Sequence, residues 1–539
     1  MTRIKMPTLR PNRLRKWVII LLSVTAFIVL VGAAIGSRYA SGQIKQRLTA
    51  LGCNVGSVNV NILTRTVTIS NIDYTRTAES DSSVSVTAYL KNAVVKNIGL
   101  YDILVNKELT IKEVMLTDGG VDVRQKKTKT KPSVKKTGSK LKKISIGRIV
   151  IQNIKATLGE DSLKQYSGLI NLTLTNVQSS DTASISSLRA YSVRNIQATI
   201  DKVLIKSGSG FYETRIGTVM VETKENKLRL DSLTLIPKYS KYKFSRVAGK
   251  QTDRVNAFVR SIEITGVQFD QINDSIFIAS KIVIVSPEVY SFRDKRMTFK
   301  EQKNKPLPIA ALKEFNFDVE IDSIQIKDSK ITYEEFPEEG FESGKIVFED
   351  LQATMANVSN KHYANKPPYA TLEATSKIMG KGAIHASFRL PLEEERPYHA
   401  KGNISRLPLH HLNPALENLA FIKIESGTLN DLNFDFEYND KASNGTLTIN
   451  YEDLKITGLK KEKSPDENDF KTFLINTIVK NDKDKDVPLD KRTGVIEFER
   501  DRKRQIFNFW WKSLLSGIKT SVLNSDKASE KSKKERKKK

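Results

Sequence analysis

From about residue 50 onward the chain alternates apolar and polar positions persistently, the period of two that half-buried β-strands require. Within that alternation one signature recurs, h-x-h-x-x-h-x-h, where h is apolar. It occurs at Cys53, Val55, Val58, Val60, at Ala93, Val95, Ile98, Leu100, at Leu109, Ile111, Val114, Leu116, and at Ile144, Ile146, Ile149, Ile151. Four later copies are Leu228, Leu230, Leu233, Leu235, then Ile262, Ile264, Val267, Phe269, then Val319, Ile321, Ile324, Ile326, and Ile346, Phe348, Leu351, Ala353. A straight strand sends residues i and i+3 to opposite faces, so the inner x-x would turn the second apolar pair outward. One extra residue, taken up as a β-bulge or bend, returns both pairs to one face and increases the local twist. Eight copies predict a mainly β fold, a long curved antiparallel sheet whose single apolar face forms a groove. The lining candidates are Val58, Val60, Ile149, Ile151, Ile262, Ile264, Ile324, Ile326 and Phe348.

Turn chemistry marks Asp118-Gly119-Gly120 before Val121 and Val123, and Asn444-Gly445 before Leu447, Ile449 and Tyr451, as hairpins. Lys327-Asp328-Ser329-Lys330 carries the same kind of signal. Helical stretches are few: an anchor, its continuation near 38–51, a short piece at 308–314, and the C-terminus. There the period changes. Phe507, Trp510, Trp511, Leu514, Leu515, Ile518 and Val522 fall on one helical face, flanked by Lys512 and Lys519. Two tryptophans beside lysines suit a helix lying in a headgroup layer. The other solution is a helix that caps the open end of the sheet and buries its tryptophans.

Trp17 to Gly36 is twenty residues without a charge, about 30 Å of helix and enough to span a bilayer core. Six basic residues precede it, so the N-terminus is expected in the cytoplasm and the bulk outside. A cleaved signal peptide would have a shorter apolar core. The divisions are then a basic cytoplasmic tail (1–16), a transmembrane helix (17–36), a first β section (37–123) and a basic loop (124–143). A middle β section (144–300), a C-terminal β section (301–506), the amphipathic helix (507–523) and a polybasic tail (524–539) follow.

Composition refines this picture at two points. The net charge of +27 is concentrated: residues 1–16, 124–148 and 527–539 together hold 23 of those charges. The folded body is near neutral, which argues against a nucleic-acid face and for anionic headgroups or simple solvation. Cys53, the only cysteine, has no disulfide partner and sits in an apolar alternation, as a small buried hydrophobe.

Chemistry is sparse. The five histidines are His362, His385, His399, His410 and His411; on an extended chain the adjacent pair would point to opposite faces. No HExxH, phosphate-binding Gly-rich loop or GxSxG occurs. Glu393-Glu394-Glu395 reads as an exposed turn. The expectation is a non-enzymatic protein with no cofactor and no metal; a carbohydrate-active site made of scattered carboxylates would leave no readable pattern.

Several segments resemble the AsmA family of Gram-negative envelope proteins. They are the anchor followed by VGSVNVNILTRTVTISNIDY (55–74), GKIVFEDLQATMANVSN (344–360) with the strands of 370–391, and ISRLPLHHLNPAL (404–416). SGTLNDLNFDFEYNDKASNGTLTINYEDLKIT (426–457) is the most specific, joined by FLINTIVKND (473–482) and NFWWKSLLSGIKTSV (508–522). The resemblance covers the anchor and most of 300–522, and residues 144–300 match only in strand character. It makes 301–506 an AsmA-like section and implies an inner-membrane, single-pass, periplasmic protein related to bridge-like lipid-transfer proteins. Its groove would shield the acyl chains of phospholipid or another envelope lipid. The partners implied are that lipid, the membrane and an envelope protein at the C-terminus, with no nucleic acid. The alternative is a structural or assembly scaffold with a sealed β core.

Overall fold

The computed structural model describes residues 38–536 apart from 62–63, 77–83, 100, 126–142, 160–163, 180–190, 301–303, 362–364, 394–395 and 460–492. The predicted transmembrane helix, the N-terminal basic tail, most of the basic loop, His362 and the 473–482 segment lie outside them. Among the described residues no helix is long and apolar enough to cross a membrane. The mainly β expectation holds there: twenty strands in a mostly antiparallel sheet, with few helices. The chain divides between Thr234 and Leu235 into two compact units.

The N-terminal unit opens with α1 (Arg38–Ala50), which buries Ile44 and Leu48 against the first strand. Its strands are β1 (Cys53–Asn61), β2 (Thr66–Arg76), β3 (Val84–Ile98), β4 (Glu108–Gln125), β5 (Lys143–Gly159), β6 (Gln165–Ser179), β7 (Tyr191–Lys206) and β8 (Tyr212–Glu222). Neighbours in sequence pair with each other from β1 to β8, antiparallel except for β4 and β5. β9 (Lys227–Pro237) reaches the division between the units.

The C-terminal unit has α2 (Lys241–Ala248), β10 (Asp253–Thr265), β11 (Ile276–Val285), β12 (Glu288–Asp294), α3 (Pro308–Lys313), β13 (Asp318–Phe336) and β14 (Gly344–Ser359). It continues through β15 (Tyr369–Ile378), β16 (Gly382–Pro391), β17 (Tyr398–Pro408), α4 (Asn413–Leu419), β18 (Ile422–Tyr438), β19 (Ala442–Gly458), β20 (Thr493–Glu499) and α5 (Ile506–Arg536). β11 and β12 act as one strand broken at Ser286-Pro287: both pair antiparallel with β10 and parallel with β13. From β13 to β20 the sheet is an antiparallel meander. The purely antiparallel expectation is therefore corrected at β4–β5 and at β11/β12–β13.

The recurring signature works as bulge logic predicts. In four copies the second inner position has a left-handed backbone: Asn97 (φ 53°), Ser232 (φ 56°), Gly266 (φ 69°) and Asp350 (φ 52°). The bends also line up across strands. Pairing skips Gly56/Asn71, then Asn71/Lys91, Lys91/Asp118 and Asp118/Asn153, which makes one transverse row through β1–β5. A second row runs Asn97, Lys112, Gly147, Asn176, Arg194 through β3–β7. Each row lets every strand it crosses change direction without moving its apolar residues to the other face.

All three turn signals are corrected by this geometry. Asp118-Gly119-Gly120 lies inside β4 and Lys327–Lys330 inside β13, with Asp118 and Asp328 supplying left-handed bends. Asn444-Gly445 lies inside β19, paired with Glu437 and Phe436, and the hairpin turns at 439–441 instead. Both bends and turns need a residue tolerant of positive φ, so Asn, Asp and Gly mark either. Helices α2 and α4 are additions. In α4 the side chain of Asn413 accepts from Ile424 N–H (2.8 Å) and donates to its carbonyl (2.9 Å), fastening the helix to β18.

Helix α2 covers the outer face of β12 and β13. Tyr242 stands edge-on to Phe292 (5.5 Å) and Phe336 (6.1 Å). Buried Glu334 accepts hydrogen bonds from Lys241, Tyr290 and Ser343. Burial raises the affinity of this carboxyl for a proton, but the three donors outweigh it and hold its pKa below the ordinary glutamate value.

Two predictions follow from these contacts. Asn97→Val should destabilise the protein by about 1–2 kcal/mol because a β-branched residue resists left-handed backbone, whereas Asn97→Gly should be near neutral; denaturant titration of both variants checks this. Because the folded pKa of Glu334 is depressed, its stabilisation is present above the unfolded value and is lost as pH falls through the folded one. Melting temperature measured from pH 7 to 3 should fall less steeply in Glu334→Gln than in the parent, from a lower starting point.

Candidate functional site

The apolar face resolves into unbroken cross-strand rows. In the N-terminal unit one row reads Val58, Ile69, Ala93, Leu116, Ile151, Leu172, Ala198, Val221. Beside it runs Val60, Val67, Val95, Val114, Ile149, Leu174, Ile196. In the C-terminal unit one row reads Ile264, Ile282, Ile324, Met355, Leu372, Phe388, Ala400, Phe436, Gly445, Ile496. Its neighbour reads Ile262, Ile284, Ile326, Ala353, Ala374, Ala386, Gly402, Phe434, Leu447, Gly494. No polar side chain interrupts any of the four.

Burial along the rows is uneven. Ile69, Ala93, Leu116, Ile149 and Ile151 are fully buried, and toward β6–β8 Leu172, Ala198 and Val221 become half-exposed. In the C-terminal unit Ala400, Phe436 and Ile496 are buried beneath α5, whereas Ile282, Ile324, Met355, Leu372 and Phe388 are half-exposed. The nine lining candidates therefore fall in two classes. Ile149, Ile151 and Ile264 are covered by protein; Val58, Val60, Ile262, Ile324, Ile326 and Phe348 keep partial access. Phe348 lies across a bend from the rows, between Ile331 and Ile378.

Helix α5 covers β19 and β20. Phe509 is 2 % exposed, Trp510 stacks on Phe388 at 4.6 Å, and Leu514 and Ile518 pack in the same cluster. Contact is made through small residues: Ser513 shares a 2.7 Å hydrogen bond with Ser443, and Gly517 lies over Gly494 so closely that a Cβ on Gly494 would collide with the Gly517 carbonyl. The opposite side presents Phe507 (71 % exposed), Trp511 (49 %) and Lys512. Leu515 and Lys519 are intermediate. The residues expected at a membrane surface (Phe507, Trp510, Trp511, Lys512, Leu514, Leu515, Ile518 and Lys519) thus divide, and the two tryptophans serve different surfaces: Trp510 the core, Trp511 the exterior. The helical backbone continues into the polybasic tail as far as Arg536.

Away from α2 the outer face of the described strands is polar, with shallow hollows on it. One lies on the first bend row, with Asn71, Asp73, Lys91, Asp118 and Asn153 around it. Another has His385, Lys401, Asn403, Asn433 and Asp435, and His399 Nε2 meets Asp435 Oδ1 at 2.7 Å. His410 and His411 lie in a 3-10 turn, not a strand, so their rings touch (4.3 Å between centroids), which corrects the opposite-faces expectation. Among the described residues no group of three or more His, Cys, Asp or Glu is placed to hold a metal ion. Cys53 is buried, and burial pushes its thiol pKa up.

No family model matches the chain, and no curated protein matches it. The resemblance to the AsmA family rests on the quoted segments alone.

Replacing Gly494 by Val should displace α5, because the added side chain meets helix backbone; a loss of about 2–3 kcal/mol is expected for overpacking of this kind. Emission of Trp510 in a Trp17→Phe, Trp511→Phe background should shift to the red. An unshifted spectrum with parental stability would mean that the helix does not depend on this contact.

Proposed function

We propose that the protein is a membrane-anchored lipid-handling protein of the AsmA type, held in an inner membrane by residues 17–36, that holds or transfers phospholipid along its apolar β face. The observation that carries this reading is the set of uninterrupted apolar rows whose middle strands remain half-exposed. Apolar surface of that extent is favourable to cover, at about 25 cal/mol per Å² removed from water. Acyl chains match it because they need no hydrogen bonds and conform to an irregular face. The exposed Phe507, Trp511 and Lys512, followed by a basic tail, suit contact with an anionic lipid surface or an envelope protein there.

A scaffold with a sealed core draws support from one feature, the closure of β19 and β20 by α5. The two readings part at Ile324. The test is native mass spectrometry with lipid extraction on the full chain isolated in an amphipathic polymer. Several phospholipids per chain, lost in Ile324→Glu while the melting temperature changes by only a few degrees, would support the lipid-handling reading. A lipid-free folded parent, with Ile324→Glu unfolded by a buried charge, would replace it with the scaffold.

A further inference from the structure

We propose that the first turns of α5 cover a binding site for the oxyanion head of a single-chain amphiphile, a carboxylate or phosphate; this deepens the lipid-handling reading and rests on it. Four buried side-chain atoms around the start of α5 lack a well-formed hydrogen bond among the described residues: Tyr438 Oη, Arg500 Nε, Gln505 Nε2 and Trp510 Nε1, of which Trp510 N–H makes a weak approach to Tyr438 Oη and leaves the hydroxyl hydrogen without an acceptor. Tyr438 is 1 % exposed, and the Arg500 side chain is completely buried. Three of the four are N–H donors and the fourth is a hydroxyl that can donate. Buried donors are nearly always satisfied in folded proteins, and several unsatisfied ones together call for an acceptor.

Charge narrows the class of acceptor. The Arg500 guanidinium spends its other nitrogens on Asp440 and on the Lys305 carbonyl. Arg502 also pairs with Asp440, at 2.9 Å. Two guanidiniums against one carboxylate leave a positive charge, which favours an anion over a neutral carbonyl or alcohol. The rings favour an attached alkyl chain. Tyr398 stacks on Tyr438 at 5.2 Å, Phe509 stands edge-on to it at 5.8 Å, and the Tyr438 and Trp510 ring centroids are 6.2 Å apart. Tyr438 is the next inward position on β18 after Phe434 and Phe436, which lie in the apolar rows. A chain attached to a head at Tyr438 would run past Ala400 and Phe388 onto the half-exposed Leu372 and Met355. The four atoms are closed off from solvent, so the head enters by displacing side chains at the start of α5.

The test uses the full chain in amphipathic polymer, with Trp17→Phe and Trp511→Phe so that Trp510 alone reports. Laurate and dodecyl phosphate are titrated against dodecanol and inorganic phosphate, and bound lipid is extracted from the same samples. Both amphiphilic anions should move Trp510 emission and raise the melting temperature. Tyr438→Phe should weaken them about tenfold. The same variant without ligand should keep its melting temperature within about 2 °C of the parent, so that the lost affinity is not a folding defect. Dodecanol binding as tightly as laurate, undiminished laurate binding in Tyr438→Phe, or an equal response to inorganic phosphate alone would each overturn the proposal. Lipid extracted from a sample whose Trp510 ignores both anions would sink the head-group site and leave the lipid-handling reading standing. A Trp510 response in a chain that carries no extractable lipid would do the reverse.

Discussion

The constraint on which the rest of the structure depends is the period of two in an extended chain. Strands such as β4 and β13, of 18 and 19 residues, cannot stay straight in a twisted sheet. A bend that slipped the pairing by one residue would turn every following apolar side chain outward. The chain resolves the conflict with a residue in the left-handed region on some strands of each row (Asn71, Asp118 and Asn153 in one, Asn97 and Asn176 in the other), while Lys91, Lys112, Gly147 and Arg194 skip a pairing beside them without it. Neighbouring strands share hydrogen bonds, so a bend in one forces a matching skip in the next. That is why Asn71, Lys91, Asp118 and Asn153 form a transverse row, and why Asn, Asp and Ser dominate the positive-φ positions.

This constraint decides what could be read from the amino-acid order. The bends were legible, because a skipped residue between two apolar pairs leaves a spacing that nothing else in a strand produces. The turns were not. Asp118-Gly119-Gly120 and Asn444-Gly445 have the backbone tolerance that a hairpin needs, and the same tolerance serves a bend in mid-strand. Only the partner strand tells the two apart, and in β19 the real turn sits at 439–441. Parallel pairing of β4 with β5 was equally hidden, since alternation records which face a residue takes and not which direction its neighbour runs.

The candidate site shows the same division. Every lining residue chosen from the recurring spacing lies on the apolar face, so the face was legible, but the extent of cover was not. Ile149 is sealed and Ile324 is half-open although their sequence surroundings look alike. The helical face of α5 was equally plain, but the separation of Trp510 from Trp511 was not. Adjacent residues on a helix point about 100° apart, and which one meets the sheet depends on where the helix lands. The unpartnered donors beneath α5 left no trace in the sequence, because each is an ordinary residue until packing removes its water.

Residue size along the rows separates two kinds of cover. Where α5 lies over the sheet, the positions beneath it include Gly494, Gly445 and Ala400, and the helix answers with Ser513 and Gly517. Backbone can approach backbone only through such small residues. Along β11–β15 one row holds Ile282, Ile324, Met355 and Leu372, beside Ala353 and Ala374 in the other, and the large residues keep a helix from settling there at the distance α5 keeps from β20. Those side chains stand proud, with shape varying from strand to strand, and Met355 adds a flexible thioether. A cover for them must be apolar and must conform to irregular relief. An alkyl chain meets both conditions and a packed helix meets only the first. On these grounds the half-exposed rows fit a lipid cover better than an unfinished protein core.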